Sequence, residues 1–244
     1  FELEVSISTS ELRVEVRRAV LLGGVFESGR EDPEGMALLP GGTLLIASEG
    51  EVNADPPLWP SLWRVTPEGR PLAEVTLPPA LREHARFNKS FEALSASPSG
   101  RRVALASEHP LAVDGDEASF ERGGLIRIAL FDGALKPTGQ IAYRTDPVPP
   151  DGRSGRLDAA QNGVSALCLL DDDTLLVLER ESDYERFDID RSALSEILAV
   201  GDEGIEVIGR SSWWRVLGPP IRRDDDDVFS NNGQRHRGEE GKMG

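Results

Sequence analysis

Carboxylates dominate the residues of this sequence that could do chemistry, and they recur at matched places. Glu34 and Glu92 each open an apolar run, while Glu49, Glu108 and Glu179 each close one. Carboxylates brought together raise one another's pKa unless a cation compensates. Hard oxygen donors from Glu, Asp and Asn suit Ca2+, which accepts about six to eight of them in flexible geometry. The recurrence therefore predicts a calcium site.

Two neighbouring segments extend that set. Asn88 and Lys89, just before Glu92, add an amide oxygen and a cation. After Glu108 come His109 and the turn Asp114-Gly115-Asp116-Glu117, which only loosely resembles a calcium loop and lacks its full spacing. Asp116, Glu117 and the runs 171–173 and 224–227 read as solvated acidic turns, and His109 as a satisfied loop histidine. Nucleophilic catalysis has little support: there is no Gly-x-Ser-x-Gly elbow, and the three histidines are His84, His109 and His236. Phosphate loops of the P-loop or dinucleotide-binding type are absent. Trp59, Trp63, Trp213 and Trp214 read as packing residues.

The elements that position these residues are strands. Helical periodicity is almost absent, and short Val/Ile/Leu runs alternate with turns such as Pro40-Gly41-Gly42, Pro67-Glu68-Gly69 and Pro98-Ser99-Gly100. Strands are expected at 12–16, 19–22, 43–47, 61–65, 73–77, 103–107, 125–131, 139–144, 165–170 and 174–178, with one short helix at 192–200. Segments 34–49, 92–108 and 165–179 share a template: an apolar strand, a tight turn, a second apolar strand, then Glu. In this reading Glu49, Glu108 and Glu179 are equivalent. Repeated hairpins indicate radial repetition, because a four-stranded sheet cannot bury both faces until neighbours stack on it. The expected fold is all-β, a β-propeller of about four or five blades that need not be complete; a two-sheet β-sandwich is the runner-up. The propeller domain spans 1–221, and 222–244 reads as a disordered polar tail too poor in apolar residues to offset its ordering entropy.

The chain has 244 residues and a formal net charge of −16. Such an acid excess argues against nucleic acid and anionic lipid, which call for a basic patch. The single Cys168 cannot form an internal disulfide, and no Cys/His spacing suggests structural zinc. No apolar run approaches the roughly 20 residues that cross a bilayer. The start at Phe1, without an initiator Met or a signal-peptide core, reads as a processed form or fragment. Residues 31–55 carry six acids and no base, so part of the excess charge falls on the repeated hairpins.

Taken in order, Asp32-Pro33-Glu34-Gly35-Met36, Ser48-Glu49-Gly50, Asn88-Lys89-Ser90-Phe91-Glu92, Ser107-Glu108-His109-Pro110 through Asp114, and Leu175 through Glu179-Arg180 resemble the phytase-like family described as "esterase-like activity of phytase". The resemblance runs from about Val20 to Arg180. It implies a β-propeller related to calcium-dependent propeller phytases and commonly exported from bacteria, hence an extracellular or periplasmic location. It places Glu34, Glu49, Asn88, Glu92, Glu108, Asp114, Glu179 and Arg180 at motif positions. The sequence departs from the family in lacking most of a leading blade before Val20 and the late Asn-x-Glu-Gly motif.

The resulting expectation is a calcium-dependent phosphoric ester hydrolase. Glu34, Glu49, Asn88, Glu92, Glu108, Asp114 and Glu179 are the candidate metal ligands, and Glu92, Arg180 and Lys89 the candidate catalytic residues. Arg180 and Lys89 would bind phosphate oxygens. A propeller lactonase or carboxyl-ester hydrolase, and a non-catalytic secreted propeller that binds a ligand, are the alternatives. The expected partner is a small phosphate or other ester, with oligomeric state left open.

Overall fold

The structure, a computed structural model, describes residues 2–8, 11–148, 160–183, 192–201 and 204–210. The tail 222–244 lies outside them. Fourteen strands occur among the described residues: β1 (Glu2–Ile7), β2 (Leu12–Arg18), β3 (Pro33–Leu38), β4 (Leu44–Ser48), β5 (Ser61–Val65), β6 (Pro71–Glu74), β7 (Phe91–Ala96), β8 (Arg102–Ser107), β9 (Leu125–Asp132), β10 (Pro137–Arg144), β11 (Ala160–Leu169), β12 (Thr174–Asp183), β13 (Ser192–Gly201) and β14 (Gly204–Arg210). Among the described residues one short α-helix, α1 (Pro79–Glu83), precedes β7, and a 3-10 helix at Gly24–Ser28 precedes β3.

The chain is all-β. Its strands make three four-stranded antiparallel sheets, β3-β4-β5-β6, β7-β8-β9-β10 and β11-β12-β13-β14, and a separate β1-β2 hairpin. More than two sheets are present, so the two-sheet sandwich does not describe it. None of these sheets closes on itself. Within each four-stranded sheet the order follows the sequence. The first strands β3, β7 and β11 lie beside one another, with β7 in contact with both.

Three local expectations are corrected. Residues 192–200, expected as a helix, lie in β13, where pairing with β12 and β14 overrides a weak helical pattern. Residues 19–22 form no strand. They run outside the sheet, and Gly23 N donates to Gly69 O at 3.0 Å. Gly69 must be glycine there: its φ is +80°, and a Cβ would meet Leu21 O at 2.3 Å. Asp172, read as solvated, instead clamps two sheets together. Its carboxylate accepts from Ser97 and Ser99 at the β7-β8 turn and from Arg101 Nε at 2.7 Å. The Ser99 and Ser97 hydroxyls, with Arg101, hold its pKa at about 2.

Burial explains which strands are central. β8 is a near-continuous apolar run buried on both faces, whereas β6 and β10 at the outer edges are largely exposed. One core joins the first sheet to the second through Ala37, Leu45 and Leu62 against Phe91, Leu94 and Leu105. Another joins the second to the third through Ala93, Ile126 and Ile128 against Val164, Leu167 and Leu175. Each fully buried side chain of this size stabilises the fold by roughly 1.5–3 kcal/mol. The ends of the first and second strands are thereby held rigidly, and those ends carry the acids. No helix among the described residues is long and apolar enough to cross a membrane.

Candidate active site

Each first strand carries a bulge at the same place. Pairing skips Glu34 between Pro33 and Gly35, Glu92 between Phe91 and Ala93, and Ser165 between Val164 and Ala166. An extra residue at a bulge is released from the ladder and re-aimed, so Glu34 and Glu92 are matched in structure as they are in sequence.

Register corrects the second equivalence. Ser48 pairs with Pro33, Ser107 with Phe91 and Glu179 with Val164. Glu179 therefore corresponds to Ser48 and Ser107, and the counterpart of Glu49 and Glu108 in the third sheet is Arg180. A slip of one residue moves a strand side chain to the opposite face. The sequence carries this signal: six residues separate Thr43 from Glu49 and Thr174 from Arg180, but only five separate Thr174 from Glu179.

Backbone hydrogen bonds fix these strand ends. Glu49 N donates to Asp32 O at 2.9 Å, and Glu108 N to Ser90 O at 2.6 Å. Each end also reaches the next sheet. Glu49 Oε1 accepts from Ser90 N at 2.7 Å, and Val164 N donates to Glu108 O at 2.9 Å. Arg180 Nη2 then donates to Glu92 Oε1 at 3.2 Å and to Glu108 Oε1 at 3.1 Å. Lys89 Nζ lies 3.6 Å from Glu108 Oε2 and also donates to Gln161 Oε1. Glu92, Glu108, Arg180 and Lys89 thus form one ion-paired group, with Glu49 and Glu34 close enough to feel it.

Electrostatics divides the acids of this group. Burial pushes Glu49 up to about 7; the Ser90 N–H opposes this, and Glu92, Glu108 and Asp32 add to it. Glu92 is raised by burial and by Glu108, against Arg180 and Lys89. Glu34, more exposed, is raised by burial, Glu92 and Asp32. Burial would raise Glu108 too, but His109, Lys89 and Arg180 outweigh it and hold it at about 2. His109 is fully buried between two carboxylates, with Nε2 3.7 Å from Glu108 and Nδ1 3.4 Å from Glu117. Burial opposes its charge, yet contact with Glu108 and Glu117 raises its pKa. Glu117 is thus not the solvated turn residue that its sequence neighbourhood suggests, and the loop residue His109 lies buried between two acids.

Three of the expected ligands stand apart from the group. Glu179 accepts from Tyr143 Oη at 2.5 Å, Asp146 N at 2.9 Å and Asn162 Nδ2 at 2.6 Å. Asp114 is held at both oxygens by Arg127, at 2.5 and 2.6 Å. Asn88 is exposed, with φ +53°. Sequence reasoning missed Asp32 and Ser90, which occupy matched positions two residues before Glu34 and Glu92. Extending the template backward by two residues would have found them.

Calcium can be tested against this donor set. Among the described residues, no group of three or more His, Cys, Asp or Glu is gathered as a metal cluster. The chemistry nevertheless suits a hard cation. Glu34, Glu49 and Glu92 are raised acids whose charge the neighbouring bases do not fully balance. Ser90 Oγ and Ser107 Oγ, beside Glu49 and Glu108 in the chain or hydrogen-bond network, are buried without a hydrogen-bond partner, a condition that buried hydroxyls rarely tolerate. Glu108, Asp114 and Glu179 are already engaged by bases or donors.

The solved structure of the Dos1 propeller is similar over 77% of the chain at 10% identity and a TM-score of 0.37; the chain spans 40% of that structure's length. No curated protein matches the sequence. The profile of the phytase-like family, described as "esterase-like activity of phytase", matches residues 5–190. By that match, which covers both bulge glutamates and the strand-end residues Glu49, Glu108 and Arg180, the chain belongs to the phytase-like family.

Proposed function

We propose that this protein is a β-propeller hydrolase of phosphoric esters that works with calcium, and that it acts outside the cytoplasm. One observation carries the reading: residues from three successive sheets, Glu49, Glu92 with Glu108 and Lys89, and Arg180, meet at the ends of adjacent inner strands. Family membership supports hydrolysis of an ester.

Glu34, Glu49 and Glu92 would hold the cation, with the Ser90 and Ser107 hydroxyls as nearby hard oxygens. Calcium, when bound, supplies charge neutralisation and polarisation of a phosphoryl oxygen. The chain's own groups divide the remaining work. Arg180 and Lys89 present charge-assisted donors suited to phosphate oxygens, and Glu92 and Glu108 hold those cations in place before substrate arrives. Without the cation Glu49 is pushed up to about 7, so calcium binding at neutral pH would displace its proton and leave it an ionised ligand.

The test is release of phosphate from a phosphomonoester, followed together with thermal melting, in calcium and then in chelator. Calcium should raise both the rate and the melting temperature, since a ligand bound only by the native state stabilises it by mass action. Glu92→Gln should reduce turnover about 100-fold, equivalent to about 2.7 kcal/mol, without lowering the melting temperature. Rates and melting that ignore both calcium and chelator would sink the proposal. Lactone opening without phosphate release would instead identify a lactonase.

A further inference from the structure

At the turn ends of the strands, away from the acids, a cavity opens between the first sheet and the second. Its volume is about 310 Å3, and its walls include Leu39, Pro40, Thr43 and Arg64 of the first sheet with Gly100 and Leu135 of the second. Two close approaches fix this frame. A Cβ on Gly100 would meet Pro40 Cδ at 2.6 Å, and one on Gly133 would meet Gly100 O at 2.8 Å. The length of β4 separates Thr43 from Glu49, roughly 20 Å at the rise of a strand, so the cavity is distinct from the acid group.

Arg64 stands where the sheet calls for an apolar residue. It lies opposite Leu45 and two residues after Leu62 on β5, so the three share one face. Leu45 and Leu62 are buried in the core between the first and second sheets. By register the counterpart of Arg64 in the second sheet is Leu130, opposite Ala104, and Leu130 is buried in the core toward the third sheet. Arg64 is exposed instead, and among the described residues no carboxylate pairs with its guanidinium.

The next interface shows what such a place can hold. There a carboxylate from the β11-β12 turn, Asp172, accepts from Ser97, Ser99 and Arg101 of the β7-β8 turn. The β7-β8 turn itself, Pro98-Ser99-Gly100-Arg101, has no acid to offer the first sheet, where Arg64 is the cation. Leu135 is a second, independent sign. Its φ is +61°, a conformation in which glycine is usual, yet its side chain packs on the shared core and lines the cavity. Backbone strain of this kind gathers at ligand clamps.

We propose that this cavity binds a small carboxylate with an apolar tail. The planar guanidinium of Arg64 takes the carboxylate in a fork of two hydrogen bonds, and the Thr43 hydroxyl is a further donor in the same wall. Leu39, Pro40 and Leu135 receive the tail. The volume is at the small end for organic ligands, which suits a short-chain acid rather than a lipid or a peptide.

The experiment uses the full chain and hexanoate, followed by ligand-detected NMR titration. Saturable binding is expected, with hexanol, which lacks the charge, at least tenfold weaker. Arg64→Leu brings in the residue type of the matched position and should weaken hexanoate at least tenfold. Leu135→Gly relieves the backbone but removes an apolar wall, and should weaken it at least threefold. Arg180→Gln should leave binding unchanged, since it lies at the other strand ends. Circular dichroism checks that each variant folds, and Arg64→Lys, which keeps the charge but loses the fork, replaces Arg64→Leu if that one does not. Absence of saturable binding, hexanol as tight as hexanoate, or indifference to either the Arg64 or the Leu135 substitution overturns the proposal. Loss of binding in Arg180→Gln would move the carboxylate to the acid group, and displacement by equimolar inorganic phosphate would make Arg64 a phosphate ligand; either result overturns it as well.

Discussion

Glu49 and Glu179 are both buried glutamates near the end of a second strand, yet their surroundings assign them opposite work. Glu179 is saturated: a phenol, a backbone amide and a side-chain amide all donate to it. Those donors come from β10, the residues just after it and β11, so Glu179 ties the second sheet to the third. Glu49 accepts one backbone N–H from Ser90 and otherwise faces Glu92, Glu108 and Asp32. A carboxylate with all its donors in place is part of the framework, while one left among other acids has capacity for a cation or a proton. Burial alone does not separate the two; the partners do.

The largest effect that would break this contrast is in stability. Glu179→Ala removes the acceptor from Tyr143, Asp146 N and Asn162, and stranding buried donors costs about 1–3 kcal/mol each. The expected loss is about 3 kcal/mol in denaturant unfolding, with any calcium-induced rise in melting temperature retained. If Glu179→Ala unfolds no more easily but loses the calcium response, the assignments of the two glutamates must be exchanged.

A smaller, pH-dependent effect sharpens the contrast. Glu49 has a folded pKa of about 7 against an ordinary 4.5. A raised folded value gives stability that is complete below pH 4.5 and is lost as pH rises through 7. Glu49→Gln retains an acceptor for Ser90 N but cannot ionise. In chelator, the variant should therefore gain stability over the native chain as pH increases from 4.5 to 7, then hold a constant advantage. Glu92, also raised, contributes in the same direction in both proteins, whereas Glu108 titrates near 2, below this window. Parallel stability curves for the two proteins would show that Glu49 is not strained by its neighbours.

Much of this was legible in the sequence, and the limits are physical. The hairpin template marked β3-β4, β7-β8 and β11-β12, and its shared bulge position gave Glu34 and Glu92. Period-two patterns survive where one face is buried and the other wet, as along β10. They fail at the strand ends, where the chemistry sits, because one residue decides the face; hence Glu179 was read in the place of Arg180. Partners distant in sequence were invisible for the same reason. Nothing local to Asp114 reveals Arg127, and nothing near His109 reveals that Glu117 returns to it.

Asp114 supplies the smallest test. It is an acid drawn from a Gly-containing turn, and by residue type it suits calcium as well as any in the chain. Yet Arg127 of β9 occupies both of its oxygens, and that fork leaves its charge balanced. The pair is only partly buried, with Arg127 about one-third exposed, so water already screens it. Asp114→Asn should therefore cost no more than about 1 kcal/mol of stability and leave calcium-dependent melting and turnover as they were. The comparison with Glu49 is direct, since both are turn or strand-end acids and only one has a base of its own. A loss of calcium response in Asp114→Asn would mean that Arg127 yields its carboxylate to the metal, and that an ion pair seen without calcium does not mark an acid as structural.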